Sequence, residues 1–140
     1  MDTVSKIVRS RNMAHIRAKN TNIEILVRKA LYKLGIRYRL HYNIPGRPDI
    51  VFVTKKVAVF VNGCFWHGHN CQDGHIPKTN SYYWERKITK NTQRDKSVIQ
   101  TLTSLGWNVI VIWECNIRKD IQSQIRIILS EIGLSNLSNN

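Results

Sequence analysis

The chain has 140 residues, enough for one domain with a real core and too few for two. Its 22 Lys and Arg against 9 Asp and Glu leave a formal charge of +13, which suits a polyanionic partner, nucleic acid first. No stretch approaches the length of a transmembrane helix, the N-terminus lacks the apolar core of a signal peptide, and no lipid signal or basic amphipathic helix is evident, so the expectation is an intracellular protein facing DNA or RNA.

Residues 1–20 form a basic arm, with Arg9, Arg11, Arg17 and Lys19 around Met13, Ala14 and Ile16. Such an arm either stays solvated or closes on a phosphate backbone with Met13 and Ile16 as wedges. A helix follows. Thr21 and Glu24 make a T-x-x-E capping box, Ile23, Val27, Ala30, Leu31 and Leu34 make one apolar stripe, and Gly35 suits the stop. Glu24 can serve the cap and meet Arg28, or it can take part in chemistry. Tyr38, Leu40, Tyr42 and Ile44 alternate with Arg37, Arg39, His41 and Asn43, the pattern of a strand with one basic, wet face. His41 on that face reads as a solvated strand residue. Pro45-Gly46-Arg47-Pro48 is a rigid turn, and Asp49 heads the apolar strand Ile50–Val53. Asp49 is either a turn aspartate bonded to nearby amides or an oxygen ligand for Mg²⁺.

Thr54-Lys55-Lys56 makes a hairpin into Val57–Val61, an apolar run without alternation that fits a strand buried on both faces. The chain turns at Asn62-Gly63 and then places Cys64, Phe65, Trp66, His67, His69 and Cys71 within eight residues. This is a loop leaving the C-terminal end of a buried strand, the usual place for chemistry in a sheet with parallel strands. His75 lies further along, in an irregular stretch, and reads as solvated. A long helix runs from about Tyr82 to Leu105, stopped by Gly106, with a stripe of Trp84, Ile88, Val98, Ile99, Leu102 and Leu105. Asn91 and Asp95 fall on that stripe, so two polar groups face inward and need partners. For Asp95 the partner is a structural salt bridge or a site facing the loop that carries His67. Arg86, Lys87, Lys90, Arg94 and Lys96 crowd the same helix and suit phosphates. Trp107–Trp113 is a further buried strand, ended by Glu114-Cys115. The last helix carries Ile121, Ile125, Ile128, Leu129 and Ile132, capped by Gly133, and residues 134–140 read as a disordered tail. The order α-β-β-β-α-β-α describes an α/β domain over residues 21–133, a mixed sheet flanked by helices.

Cys64, His69, Cys71 and Cys115 make a Cys₃His set, which suits a closed, structural, tetrahedral Zn²⁺ site. His67 is the competing imidazole for that set. If zinc takes His69, then His67 is left to accept a proton from water beside a cation on Asp49, enough to hydrolyse a phosphodiester. Phe65, Trp66 and Trp84 either pack into the core or stack on bases.

The motifs R-S-R-N-M (9–13), T-x-I-E (21–24), P-G-R-P-D (45–49), G-C-F-W-H-x-H-x-C (63–71), W-x-x-K-I-x-x-N-x-x-R-D (84–95) and W-E-C (113–115) resemble the very-short-patch-repair (Vsr) endonucleases. The resemblance implies a single-domain, restriction-endonuclease-like fold in a monomeric, bacterial, cytoplasmic enzyme. It implies nicking of double-stranded DNA beside T·G mismatches left by deamination of 5-methylcytosine, alongside mismatch-repair proteins and a cognate cytosine-5 methyltransferase. Asp49 and the Val61 carbonyl are then expected on Mg²⁺ with Glu24 close by, His67 as general base with Asp95 beside it, and Cys64, His69, Cys71 and Cys115 on zinc. Phe65, Trp66 and Trp84 are expected to intercalate, Met13 to enter from the arm, and Lys87 and Asn91 to read bases. The chain departs from the pattern at Val61-Asn62, where some members carry Thr-His. Any residue supplies the carbonyl, whereas Asn62 offers a neutral hydrogen bond to a phosphate, so retained but altered activity is expected. A second departure is the apolar character of the positions where restriction enzymes carry E-x-K, which throws the base function onto His67. The alternatives are a restriction or homing-type nuclease on the same core, and a zinc-stabilised DNA-binding module without turnover.

Overall fold

The computed structural model describes residues 21–71, 76 and 78–134. The arm with Met13, the loop residue His75 and the tail beyond Leu134 lie outside the described residues. The elements are α1 (Asn22–Lys33), β1 (Arg39–Leu40), β2 (Ile50–Phe52), β3 (Val57–Asn62), α2 (Ser81–Ser104), β4 (Asn108–Trp113), α3 (Glu114–Lys119) and α4 (Ile121–Glu131).

The four strands lie in the order β1-β2-β3-β4, antiparallel across the first two pairings and parallel between β3 and β4. The register sets Ile50 against Val59 and Val59 against Ile110. Side chains alternate along a strand, so Ile50, Phe52, Val57, Val59, Val61, Ile110 and Ile112 share one face. That face packs on Val27 and Leu31 of α1 and on Ile125, Ile128 and Leu129 of α4, all within 1% of complete burial. The opposite face carries Phe60 and Val111, which line a cleft together with Val98 and Ile99 of α2. Burial on both faces is why β3 reads as an unbroken apolar run.

The expected α/β mixed sheet flanked by helices is present. Four local expectations are corrected. The alternating stretch 38–44 forms only a two-residue strand, because His41 takes a positive φ of 48° and turns the chain out of the ladder. His41 is therefore no solvated strand residue: its side chain is 15% exposed, against Glu24. The short helix α3 follows β4 at once, where no separate element was expected. Leu105 leaves the apolar stripe and is 52% exposed, since α2 has ended and the turn at Gly106 begins there.

Candidate active site and metal centre

Because β2 runs against β3, the first residue before β2 lies beside the last residues of β3. Asp49 thus meets Val61, whose backbone N–H donates to Asp49 Oδ2 at 2.7 Å. Glu24 reaches the same place from α1. Thr21 Oγ1 accepts from the Glu24 N–H, so the N-cap half of the capping box is made. The Glu24 carboxylate faces inward at 6% residue exposure, 3.9 Å from His41 Nε2. Burial, and next the charge of Glu24, push the Asp49 carboxyl up to about 7 against the pull of the Val61 amide and Arg28. One ligand atom each from Glu24, His41 and Asp49 lies within 4.8 Å of the others. One buried and one part-buried carboxylate beside an imidazole fit a divalent cation, whose charge would offset theirs. His41 was missed from the sequence. Its place in an apparent period-2 pattern concealed it, and the turn residues Asn43, Pro45 and Gly46 were the one hint that the strand stops early.

Glu24, Asp49, Asn62, His67, Asn91 and Asp95 line one cleft of about 990 Å³, with Arg47, Arg94 and Arg118 also in its wall. Asn62 ends β3 at 7% exposure. The loop after it is docked on α2 by a pair of residues four apart and so on one helical face. Asn91 Nδ2 donates to the Trp66 carbonyl at 2.9 Å, and Asp95 Oδ2 lies 2.6 Å from His67 Nδ1. Between the two expectations for Asp95, the loop is its partner. An ionised carboxylate only accepts, so the hydrogen of this contact sits on Nδ1, and in the neutral form of the ring the lone pair is then on Nε2. Gly68 lets the loop approach: its φ is +63°, and a Cβ there would stand 2.7 Å from Ile88 Cγ2.

The parallel pairing of β3 and β4 aligns their C-terminal ends, Asn62 against Trp113, and so brings Cys64 to Cys115. The Cys115 N–H lies 3.3 Å from Cys64 Sγ. His69 Nδ1 is 3.6 Å from Cys64 Sγ and 3.5 Å from Cys115 Sγ, and Cys71 completes the group. Ordinary Zn–S and Zn–N bonds at a tetrahedral angle separate ligand atoms by about 3.5 Å, so the set fits a tetrahedral ion. The His69 ring stacks on Trp113 with centroids 4.1 Å apart. Cys64 is fully buried, and loss of solvation pushes its thiol up to about 12 when no cation is present. The two imidazoles are thus divided, His69 with the thiols and His67 with Asp95.

Phe65, Trp66 and Trp84 are neither swallowed by the core nor dispersed. They meet edge to face, with centroids 5.1, 5.2 and 5.7 Å apart, and each is half-buried. Lys87 Nζ sits 5.7 Å from the Trp66 ring and 5.9 Å from Tyr83. An aromatic cluster edged by Lys87 thus stands at a cleft whose lining includes Trp66, Glu24, Asp49, His67 and Asp95.

The family model for the DNA mismatch endonuclease Vsr matches residues 1–73. The chain is 48% identical over 117 residues to the type II nicking enzyme V.NmeAIP of Neisseria meningitidis, an alignment covering 83% of this chain and 82% of the relative. It is 45% identical over 106 residues to the type II nicking enzyme V.XorIIP of Xanthomonas oryzae, covering 75% and 78%. It is 39% identical over 118 residues to the DNA mismatch endonuclease Vsr of Escherichia coli, covering 84% and 76%. The chain belongs to the Vsr family of DNA mismatch endonucleases and is an endodeoxyribonuclease.

Proposed function

We propose that the protein nicks one strand of duplex DNA beside a T·G mismatch, using Mg²⁺ at Asp49 and a structural zinc. The observation that carries this reading is the His67–Asp95 contact of 2.6 Å, in the same cleft as Asp49 and apart from the thiol cluster. Asp95 holds the Nδ1 hydrogen, so Nε2 of His67 takes the proton of the attacking water. Asp49 and the Val61 carbonyl would hold Mg²⁺ with Glu24 beside them; when bound, the cation stabilises charge on the phosphate and the leaving oxygen. Asn62 gives the phosphate a neutral hydrogen bond, and Arg47 and Arg94 offset the charge of the neighbouring backbone. Phe65, Trp66 and Trp84 wedge into the stack next to the mismatch, with Met13 entering from the arm. Lys87 and Asn91 read base edges, Asn91 with the part of its amide that is not given to Trp66. Cys64, His69, Cys71 and Cys115 would hold zinc, which pins the His67 loop to the end of β4 and takes no part in the chemistry.

The protein acts as a monomer in the cytoplasm, downstream of a cytosine-5 methyltransferase whose product deaminates to thymine. None of the described helices is long and apolar enough to cross a membrane. The test is single-turnover nicking on a panel of otherwise identical duplexes carrying T·G, T·A or C·G at one position, with Mg²⁺ present. Cleavage of the T·G duplex alone, on the thymine strand, is expected. Equal cleavage of paired and mismatched sites would move the reading to a restriction-like nicking enzyme. Intact duplexes throughout would leave a DNA-binding module.

A further inference from the structure

We propose that His41 is a third side-chain ligand of the divalent cation, so that Glu24, His41 and Asp49 form a site with two oxygens and one nitrogen that prefers Mn²⁺ to Mg²⁺. This rests on the reading of Asp49 as the cation's ligand. Three observations carry it. One ligand atom from each of the three residues lies within 4.8 Å of the other two, a spread that one ion can span. The ring is aimed inward: Nε2 is sealed from solvent and lies 3.9 Å from Glu24 Oε2, too long for a hydrogen bond but ordinary for two ligands of one ion. The backbone ties the position to the site, since the His41 N–H donates to the Asp49 carbonyl at 3.4 Å while φ of 48° turns the residue away from the strand.

The ligand chemistry then sets the preference. Mg²⁺ is a hard cation that takes oxygen and keeps several of its waters, and it gains little from an imidazole. Mn²⁺ stands early in the series of first-row ions that accept nitrogen alongside carboxylate, and it tolerates the same octahedral geometry. A carboxylate pair alone would serve either ion. The imidazole separates them. His41 comes from the stretch between β1 and β2 and leaves His67 to its contact with Asp95.

The test uses the full chain, freed of exchangeable divalent ions with its tightly held metal left in place. Mn²⁺ is titrated in and followed by electron paramagnetic resonance, and pulsed spectra are read for modulation from a coordinated ¹⁴N. The wild type is expected to bind Mn²⁺ on the order of tenfold more tightly than Mg²⁺, with the ¹⁴N signature present. His41→Gln is expected to lose that signature and most of the Mn²⁺ advantage, with Mg²⁺ affinity measured by competition little changed. His67→Ala is expected to keep the signature. A ¹⁴N signal that persists in His41→Gln, or an unaltered ratio of the two affinities, overturns the assignment of His41 and leaves Asp49 in place. No Mn²⁺ or Mg²⁺ binding by the wild type, or equal binding by Asp49→Asn, overturns the underlying cation site instead. Should His41→Gln fail to fold, ¹⁵N-histidine spectra of the wild type decide the matter. Selective broadening of the His41 Nε2 resonance by substoichiometric Mn²⁺ supports the proposal, and broadening spread equally over His41 and His67 overturns it.

Discussion

Asp95 and His67 are joined by a 2.6 Å contact that spans 28 residues of sequence and links the middle of α2 to the loop after β3. With neither group more than 27% exposed, the bond fixes both the tautomer and the direction of the ring. Asp95 therefore acts as a positioning residue. Asp95→Asn can present an N–H to Nδ1 and invert the tautomer, so that Nε2 carries the hydrogen. Single-turnover nicking should fall by on the order of 10²-fold or more, with DNA affinity in a gel-shift assay within about threefold of wild type. His67→Ala should abolish nicking with the same retained affinity. Equal loss of affinity and rate in Asp95→Asn would show that the contact merely holds the loop.

Asp49 gives a pH dependence whose sign follows from its raised carboxyl. The unfolded carboxyl titrates near 3.8 and the folded one near 7, so between these values the cation-free folded state binds a proton that the unfolded state has released. Stability from this site is full below the lower value and is lost as pH rises toward and through the upper one. Asp49→Asn cannot ionise. In chelator it should exceed the wild type at about pH 8 by on the order of 2 kcal/mol in denaturant unfolding, and match it near pH 4. Added Mg²⁺ or Mn²⁺ should stabilise the wild type at pH 8 and leave Asp49→Asn unmoved.

Cys64 is fully buried at the centre of the thiol cluster, and as a lone thiol it stays neutral up to about 12. Burial of this kind favours a cation that releases the proton and satisfies the sulfur. Cys64→Ser should lower the zinc content found by elemental analysis by about one equivalent and lower the melting temperature by several degrees or more. Chelation strong enough to strip the wild type should produce the same shift. Full zinc occupancy in Cys64→Ser would disprove the site.

Gly68→Ala tests how closely the loop must approach α2. The substitution places a side chain at φ +63° and within 2.7 Å of Ile88 Cγ2. A cost of about 1–3 kcal/mol in urea unfolding is expected, and nicking should fall by more than DNA affinity does because His67 is displaced from Asp95. A variant as stable and as active as wild type would mean that the loop has room to spare.

Much of the molecule was legible in the residues themselves, because local rules and tertiary needs agree there. The buried run Val57–Val61, the capping box at Thr21 and the stripe Ile88 to Leu102 each carry their own periodicity or punctuation. The crowding of Cys64, His67, His69 and Cys71 by itself marks the loop that carries the candidate site. One choice left open was which of two neighbouring groups meets a distant partner. Spacing does not tell His67 from His69; the parallel pairing of β3 and β4 does, by delivering Cys115 to His69, while α2 delivers Asp95 to His67. His41 was hidden for the same reason in reverse: an alternating pattern assigned it to solvent, and one left-handed backbone angle sent it to the carboxylates of Glu24 and Asp49. Hydrophobic period and turn chemistry are properties of a short stretch of chain and can be read along it. Which charged group is buried against which is settled only when strands from different parts of the chain are brought into register.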